Sequence, residues 1–502
     1  MSLRFEPFYE EYLKKLAAYS FAQALIYTDQ ATVAPKKGIP FSSDQMSILG
    51  QEEFKLANDP EMVAKIEEYQ KRLPEGSLER KEVDMRVNDL AHTKNVPADV
   101  YGGFIQARNK AGYIWHEAKE KNDYELFKPY LKDLMSRSIE FMKYSPKYNG
   151  NNLYDVFLDA YEPEMTEAKY DAFFDVIKEE LVPFIARVQK EGRPIDDSMM
   201  SKTFDVKRQE QFMNTIMDYL QVDRDRVALG TTEHPFTNFL SHNDMRITTH
   251  YYPDRFLSAI LSTVHEYGHA LYGLQMDEQF EGTALNTNVG SGAHESQSRF
   301  LENHIGRSRA FWQANHDELI RQFPEFKDVS LDELVDQINV SRPGLIRTEA
   351  DELTYPLHIL IRYEIEKDMA EGKIDYDKLP EIWADKYEQY LGIRPHTYSE
   401  GVLQDVHWSD GYLGYFPTYA LGSAYAAQLY RQMEKEIDVK EALRTSHMET
   451  ITGWLQENVH HYAGSMTMAE IVEKVSGEPF DPHYYTDYLK EKYSKLYALD
   501  EQ

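Results

Sequence analysis

The sequence predicts a mainly α-helical fold with a small β-sheet beside one helix. Three observations carry that reading. Apolar residues recur at three- and four-residue steps over most of the chain, the spacing of a single helical face. One short segment, Arg246 to Tyr252, is β-branched and aromatic instead. The 502 residues are 42% hydrophobic and include 24 Phe, 36 Tyr and 5 Trp, enough for a large core and too many for a solvated chain.

The first helical run spans 5–31, with Phe8, Tyr12, Leu16, Tyr19 and Ala22 on its apolar face. Similar runs lie near 97–119, 124–143, 166–189 and 205–221. Breakers such as Pro40, Gly76, Pro194, Pro343 and Gly401 separate many of the runs. An irregular stretch from Gly230 to Asn243 precedes the strand, which leads into a strongly helical segment from Arg255 to Gln275. The strand fits either an exposed edge able to pair with an extended peptide or an ordinary structural strand. Gly290 and Gly292 permit a turn into a helix through Phe300 to Arg309, with Ser291 placed to cap it. Further helices are expected near 354–371, 411–435, 439–457 and 482–497. No repeat period and no linker rich in Pro, Gly or Ser divides the chain. The expectation is one domain over 1–502, with room for two lobes around a cleft.

Charge narrows the function. The chain carries 85 Asp and Glu against 55 Lys and Arg, a formal net charge of −30. Such a field repels phosphate backbones and anionic lipid surfaces, which disfavours nucleic acid and membrane partners. No run reaches the roughly 18 apolar residues of a membrane helix. With 0 Cys, disulfides, thiolate metal sites and a Cys nucleophile are excluded. Met1 to Glu6 turns acidic without the basic-then-apolar order of a secretion signal, so the expected compartment is the cytoplasm.

The chemistry points to His265-Glu266-Tyr267-Gly268-His269, an H-E-x-x-H pattern inside the 255–275 helix. Residues four apart share one helical face, so both imidazoles can reach one zinc ion. Glu266, beside the first His, is placed to take a proton from water and pass it to a leaving amine. The pattern is short enough to arise by chance. Its apolar flanks Val264, Ala270 and Leu271 argue otherwise, because buried imidazoles need partners. A catalytic zinc needs a third protein ligand. Tyr272 and Gln275 stand where a metzincin would carry Gly and a third His, so a later carboxylate is required. Glu295 in Gly290 to Ser298 is the best candidate, although a helix start also favours a carboxylate there.

Two arginines could grip a substrate carboxylate, Arg246 at the start of the strand and Arg347 in Leu345 to Asp351; either could equally be a structural ion pair. His234-Pro235-Phe236, the segment Gly401 to Trp408, and Tyr419 add polar and aromatic groups. Tyr419 is a candidate for stabilising the oxyanion of a tetrahedral intermediate. Taken singly, such residues are more often core than catalytic.

Together these segments resemble the carboxypeptidase Taq family of metal-dependent carboxypeptidases. The matching segments are His234-Pro235-Phe236, Asp244 to Thr249, His265 to His269, His294-Glu295-Ser296-Gln297, Ile346 to Asp351 and Gly401 to Trp408. Tyr267 fills a variable place and is not a ligand. The resemblance implies an almost wholly helical metallopeptidase fold with a deep groove and a small sheet. It implies zinc on His265, His269 and Glu295, with cobalt as a functional substitute, and Glu266 as general base and acid. Arg347 and Arg246 would hold the substrate's terminal carboxylate or backbone. His234, His294, Gln404, His407 and Tyr419 would line the site. It also implies a homodimer and broad specificity with proline poorly tolerated.

The function expected is therefore removal of single residues from peptide C-termini. Two rivals remain at this point. A zinc endo-oligopeptidase would cut internal bonds without needing a free carboxylate. A peptide-binding module would use the groove without cleavage, though it would have no use for Glu266.

Overall fold

The 256–275 run is apolar on every side, and such a helix must be enclosed rather than laid on a surface. The structure, a computed structural model, describes residues 3–287 and 290–499, without the side chains of 92–94 and 98. In it, helix Phe256–Gln275 is surrounded, with Phe256, Ile260, Val264, Tyr267 and Leu271 all buried. It belongs to one continuous core that extends from Ala107 to Leu499.

Most predicted helices form: Pro7–Thr32, Ala98–Lys121, Tyr124–Met142, Glu167–Glu191, Val206–Tyr219, Tyr355–Ala370 and His483–Tyr497. The run expected from 411 starts only at Pro417, because Gly411 and Gly414 adopt φ of 76° and 85° and hold the preceding segment in turns. The run 439–457 is two helices, Val439–Arg444 and Met448–Asn458, parted at Ser446, whose φ is 60°. Helices Ile39–Ala57, Pro60–Arg72, Leu78–Lys94, Leu153–Tyr161, Arg309–Gln322, Leu331–Ile338, Leu379–Leu391 and Met468–Ser476 also form. Several are short, and Ile39–Ala57 has no buried residue, so no apolar stripe announced it.

The stretch Gly230 to Asn243, expected to be irregular, contains strand structure. Strands β1 (Val227–Thr231), β2 (Thr237–Ser241) and β3 (Asp244–Thr249) form a sheet in the order β1-β3-β2. β3 pairs parallel with β1 and antiparallel with β2. The predicted strand is therefore central, not an edge open to a peptide, and it ends at Thr249 rather than Tyr252. Met245 and Ile247 turn to the core, and the Thr249 hydroxyl donates to the Ala259 carbonyl at 3.1 Å, tying sheet to helix.

A second helix, Ser291–Arg299, lies between Phe256–Gln275 and Pro417–Glu436. Its approach on both sides depends on glycine. A Cβ on Gly268 would stand 2.6 Å from the Gln297 carbonyl oxygen and the Ser298 Cα. A Cβ on Gly422 would stand 2.8 Å from the Glu295 Cβ. Helix 291–299 then runs into a π-helix, Phe300–Gly306. Ser291 does not cap it. Gly290 precedes it with φ 97°, and buried Glu162 accepts from the Gly292 N–H at 2.8 Å. A carboxylate at a helix N-terminus is favoured by the dipole. Burial nevertheless pushes the Glu162 carboxyl up to about 8 from its ordinary 4.5.

Two outcomes follow. Gly268→Ala is expected to lose about 1–3 kcal/mol in urea denaturation through overpacking against backbone; unchanged stability would contradict the close approach. Because the Glu162 carboxyl titrates higher in the folded state than unfolded, its stabilisation is complete below about pH 4.5 and is lost as pH rises through about 8. Wild-type protein should thus lose stability relative to Glu162→Gln across that window, whereas parallel pH profiles would show the carboxyl is not raised.

Candidate active site

Helix Phe256–Gln275 places His265 and His269 one turn apart, their rings 4.9 Å between centroids and nearly perpendicular. The glycine-mediated approach of helix 291–299 delivers Glu295 opposite them. Glu295 Oε2 lies 3.9 Å from both His265 Nε2 and His269 Nε2. These three residues are the group among the described residues whose donor atoms could hold a metal ion, all lying within 4.8 Å of one another.

The far side of each donor is already engaged. His265 Nδ1 donates to Glu302 Oε2 at 2.9 Å. His269 Nδ1 lies 2.9 Å from His294 Nδ1, an arrangement in which His269 donates. Glu295 Oε1 accepts from Arg299 Nε at 2.7 Å. Each group therefore has one atom fixed by protein and one directed at a common point, the pattern by which outer partners orient metal ligands. Glu302 is itself held by Arg299 at 2.9 Å and Arg307 at 3.3 Å. Burial would raise the Glu302 carboxyl, but Arg299, His265 and Arg307 outweigh it and hold it well below the usual range. Burial, with the neighbouring imidazoles and Arg299, keeps His269 well below its ordinary value, so it is neutral. For His265 burial works downward, but Glu302 and Glu295 prevail and raise it. Two imidazole nitrogens and one carboxylate oxygen, each backed by a protein partner, form a set that a divalent cation would complete. The donor set fits zinc.

Glu266 points into the same cavity beside His265. Its Oε2 accepts from the Thr237 hydroxyl at 2.6 Å, which anchors the carboxylate to β2. Burial pushes it up, partly offset by His265 and Thr237. A base that is desolvated and still hydrogen-bonded is suited to proton transfer near neutral pH.

The cavity is about 1080 Å³ and takes in His265, Glu266, His269, His294, Glu295, Arg347 and Tyr419. Four other candidates lie away from its walls. His234 is exposed beside Pro235, and Arg246 is paired to Asp244 on β3. Gln404 spends its amide on backbone, accepting from Arg347 N at 2.9 Å and donating to the Leu345 and Glu400 carbonyls. His407 stands behind Tyr419, its Nε2 3.2 Å from the Tyr419 hydroxyl, and burial together with Arg347 pushes it down to about 3. Arg347 is buried, with Nε and Nη2 each 2.9 Å from Asp405 Oδ1. It is both an ion pair and a cleft residue.

Sequence reasoning missed Thr237, Arg299, Glu302 and Tyr355, the last lining the cavity between Arg299 and Arg347. Glu302 follows Glu295 by seven positions, two helical turns, so the helical period could have flagged it. The others are visible only in three dimensions.

The model of the carboxypeptidase Taq (M32) metallopeptidase family matches residues 8–493. Carboxypeptidase 1 of Bacillus subtilis (strain 168) is 39% identical over 99% of this chain and 99% of its own length. Thermostable carboxypeptidase 1 of Thermus thermophilus is 34% identical, covering 97% of this chain and 98% of that one. Among solved structures, the Pyrococcus furiosus carboxypeptidase superposes with a TM-score of 0.93 at 34% identity, over 98% of this chain and 99% of that one.

Glu302→Gln is expected to weaken zinc binding about 10–100-fold in competition with a chelating dye, the usual effect of removing such a partner. An unchanged affinity would show that His265 does not depend on Glu302 for its orientation.

Proposed function

The chain belongs to the carboxypeptidase Taq (M32) metallopeptidase family, and from that premise we propose that it is a zinc carboxypeptidase releasing single C-terminal residues from peptides. Metal-dependent carboxypeptidase activity is what the family supports. The observation that carries the finer reading is the cavity into which the His265, His269 and Glu295 donors, Glu266 and Arg347, whose partner is Asp405 rather than a carboxylate of the donor cluster, all open.

His265, His269 and Glu295 would hold the zinc, and cobalt is a workable substitute. Zinc bound there supplies Lewis acidity toward a carbonyl oxygen and makes hydroxide available near neutral pH. The chain's own residues do the rest. Glu266, oriented by Thr237, takes a proton from the attacking water and returns it to the departing amine nitrogen. The Tyr419 hydroxyl donates to the oxygen that gains charge as the carbonyl becomes tetrahedral. Arg347 receives the terminal carboxylate and so sets the exopeptidase register. His294, which burial pushes down to about 4 and so keeps uncharged, holds His269 turned toward the ligand point.

Broad specificity with proline disfavoured, one catalytic domain over 1–502 with two lobes at the cleft, and a cytoplasmic homodimer complete the proposal, all resting on resemblance and composition. No helix among the described residues is long and apolar enough to cross a membrane.

Mass spectrometry of a short peptide incubated with zinc-loaded protein tests the reading, with the C-terminus free or amidated. Stepwise single losses from the free acid alone, abolished by chelator and by Glu266→Gln, are expected. Internal cuts in both peptides would replace it with an endo-oligopeptidase.

A further inference from the structure

Arg347 does not stand alone. Asp405 is shared between two guanidiniums. Its Oδ1 accepts from Arg347 Nε at 2.9 Å, with Nη2 also 2.9 Å away, and its Oδ2 accepts from Arg362 Nε at 2.7 Å, while Arg362 Nη2 lies 2.6 Å away but makes no aligned hydrogen bond. Arg362 is fully buried; its Nη1 donates to the His358 carbonyl at 2.7 Å and its guanidinium lies over Trp383. Arg347 lies over Tyr419 and Phe416, and its Nη1 has the Tyr355 hydroxyl at 3.3 Å. Burial would raise the Asp405 carboxyl, yet the two arginines outweigh it and keep it well below the usual range. His358 and His407 are held neutral, chiefly by burial. Glu366 also acts on Arg362. It accepts from the Tyr154 hydroxyl, Trp408 Nε1 and the Gly414 N–H rather than from Arg362, and burial pushes it up to about 7, so near neutrality it adds only part of a second negative charge.

Two buried cations thus face one full carboxylate and one partial one. Buried charge is costly unless matched. We propose that Asp405 and Arg362 are positioning residues for carboxylate recognition. Asp405 fixes the Arg347 guanidinium, and Arg362, by sharing Asp405, leaves the cluster cationic so that the substrate's terminal carboxylate completes the charge balance. This rests on Arg347 receiving that carboxylate. Without Arg362, the Arg347–Asp405 pair would be neutral and would attract an anion weakly.

The two residues give effects of opposite sign, which a merely structural role would not. Competitive inhibition by a free-acid dipeptide and by its amide is measured on the zinc-loaded protein. Arg362→Met is expected to weaken free-acid binding about tenfold, raising KM with little change in kcat, and to leave amide binding alone; Arg362→Lys restores the affinity. Asp405→Asn, which removes the anion, is expected to tighten free-acid binding while kcat falls as Arg347 loses its anchor. Wild-type affinity in Arg362→Met, or parallel losses for acid and amide, overturns the proposal. If Arg362→Met does not fold, the Asp405→Asn arm decides: tighter binding supports the proposal and weaker binding overturns it. Arg347→Met separates the layers. If it too leaves acid-over-amide preference intact, the carboxylate role of Arg347 fails; if only the Arg362 and Asp405 variants do so, the proposal alone fails.

Discussion

Helix 291–299 can lie as close as it does to two neighbours only because Gly268 and Gly422 present no side chain. Helix axes normally stand 8–10 Å apart, and small residues at a crossing take the low end. That approach brings Glu295 to within 3.9 Å of both imidazole nitrogens. It also buries the polar face of helix 291–299, so each polar group on it must find a partner inside the protein. Arg299 answers that need twice, binding Glu295 and Glu302, and the π-helix that follows carries Glu302 to His265.

Charge in the cleft is organised in two clusters joined by one aromatic ring. The first holds Glu295, Glu302, Arg299 and Arg307 around the two histidines. The second holds Arg347, Asp405 and Arg362. Tyr355 touches both: Arg299 lies over its ring at 4.4 Å, and its hydroxyl meets Arg347 Nη1 at 3.3 Å. On the proposed reading, buried Tyr355 would set the separation between the metal donors and the arginine that receives a carboxylate. In an exopeptidase that separation defines the register, and preorganisation of both ends is what lets binding energy serve catalysis.

Much of this was legible in the residues. Helical periodicity located the long helices, and the i, i+4 histidines with a downstream carboxylate pointed to the three residues whose donor atoms the fold brings together. What escaped notice depends on contacts between distant segments. The sheet order was hidden because β1 and β2 are short and flank Pro235, while β3 alone has a run of β-branched residues. Ser291 looked like a cap, but Glu162, 130 positions before Gly292, takes that place by accepting from the Gly292 N–H. Gln404 was expected to line the site on resemblance alone; its amide is engaged by the Arg347 N–H and by the Leu345 and Glu400 carbonyls, contacts that residue type and spacing do not reveal. Arg362 sits in a buried helix with no motif around it, and only its partner Asp405 reveals its place.

The most direct test of the account is anomalous diffraction from crystals of zinc-loaded protein. The account predicts one zinc peak bound by His265 Nε2, His269 Nε2 and Glu295, with Glu302 and His294 hydrogen-bonded behind the two imidazoles. Zinc bound through His294 or Glu302, or a peak away from helix 291–299, would contradict it.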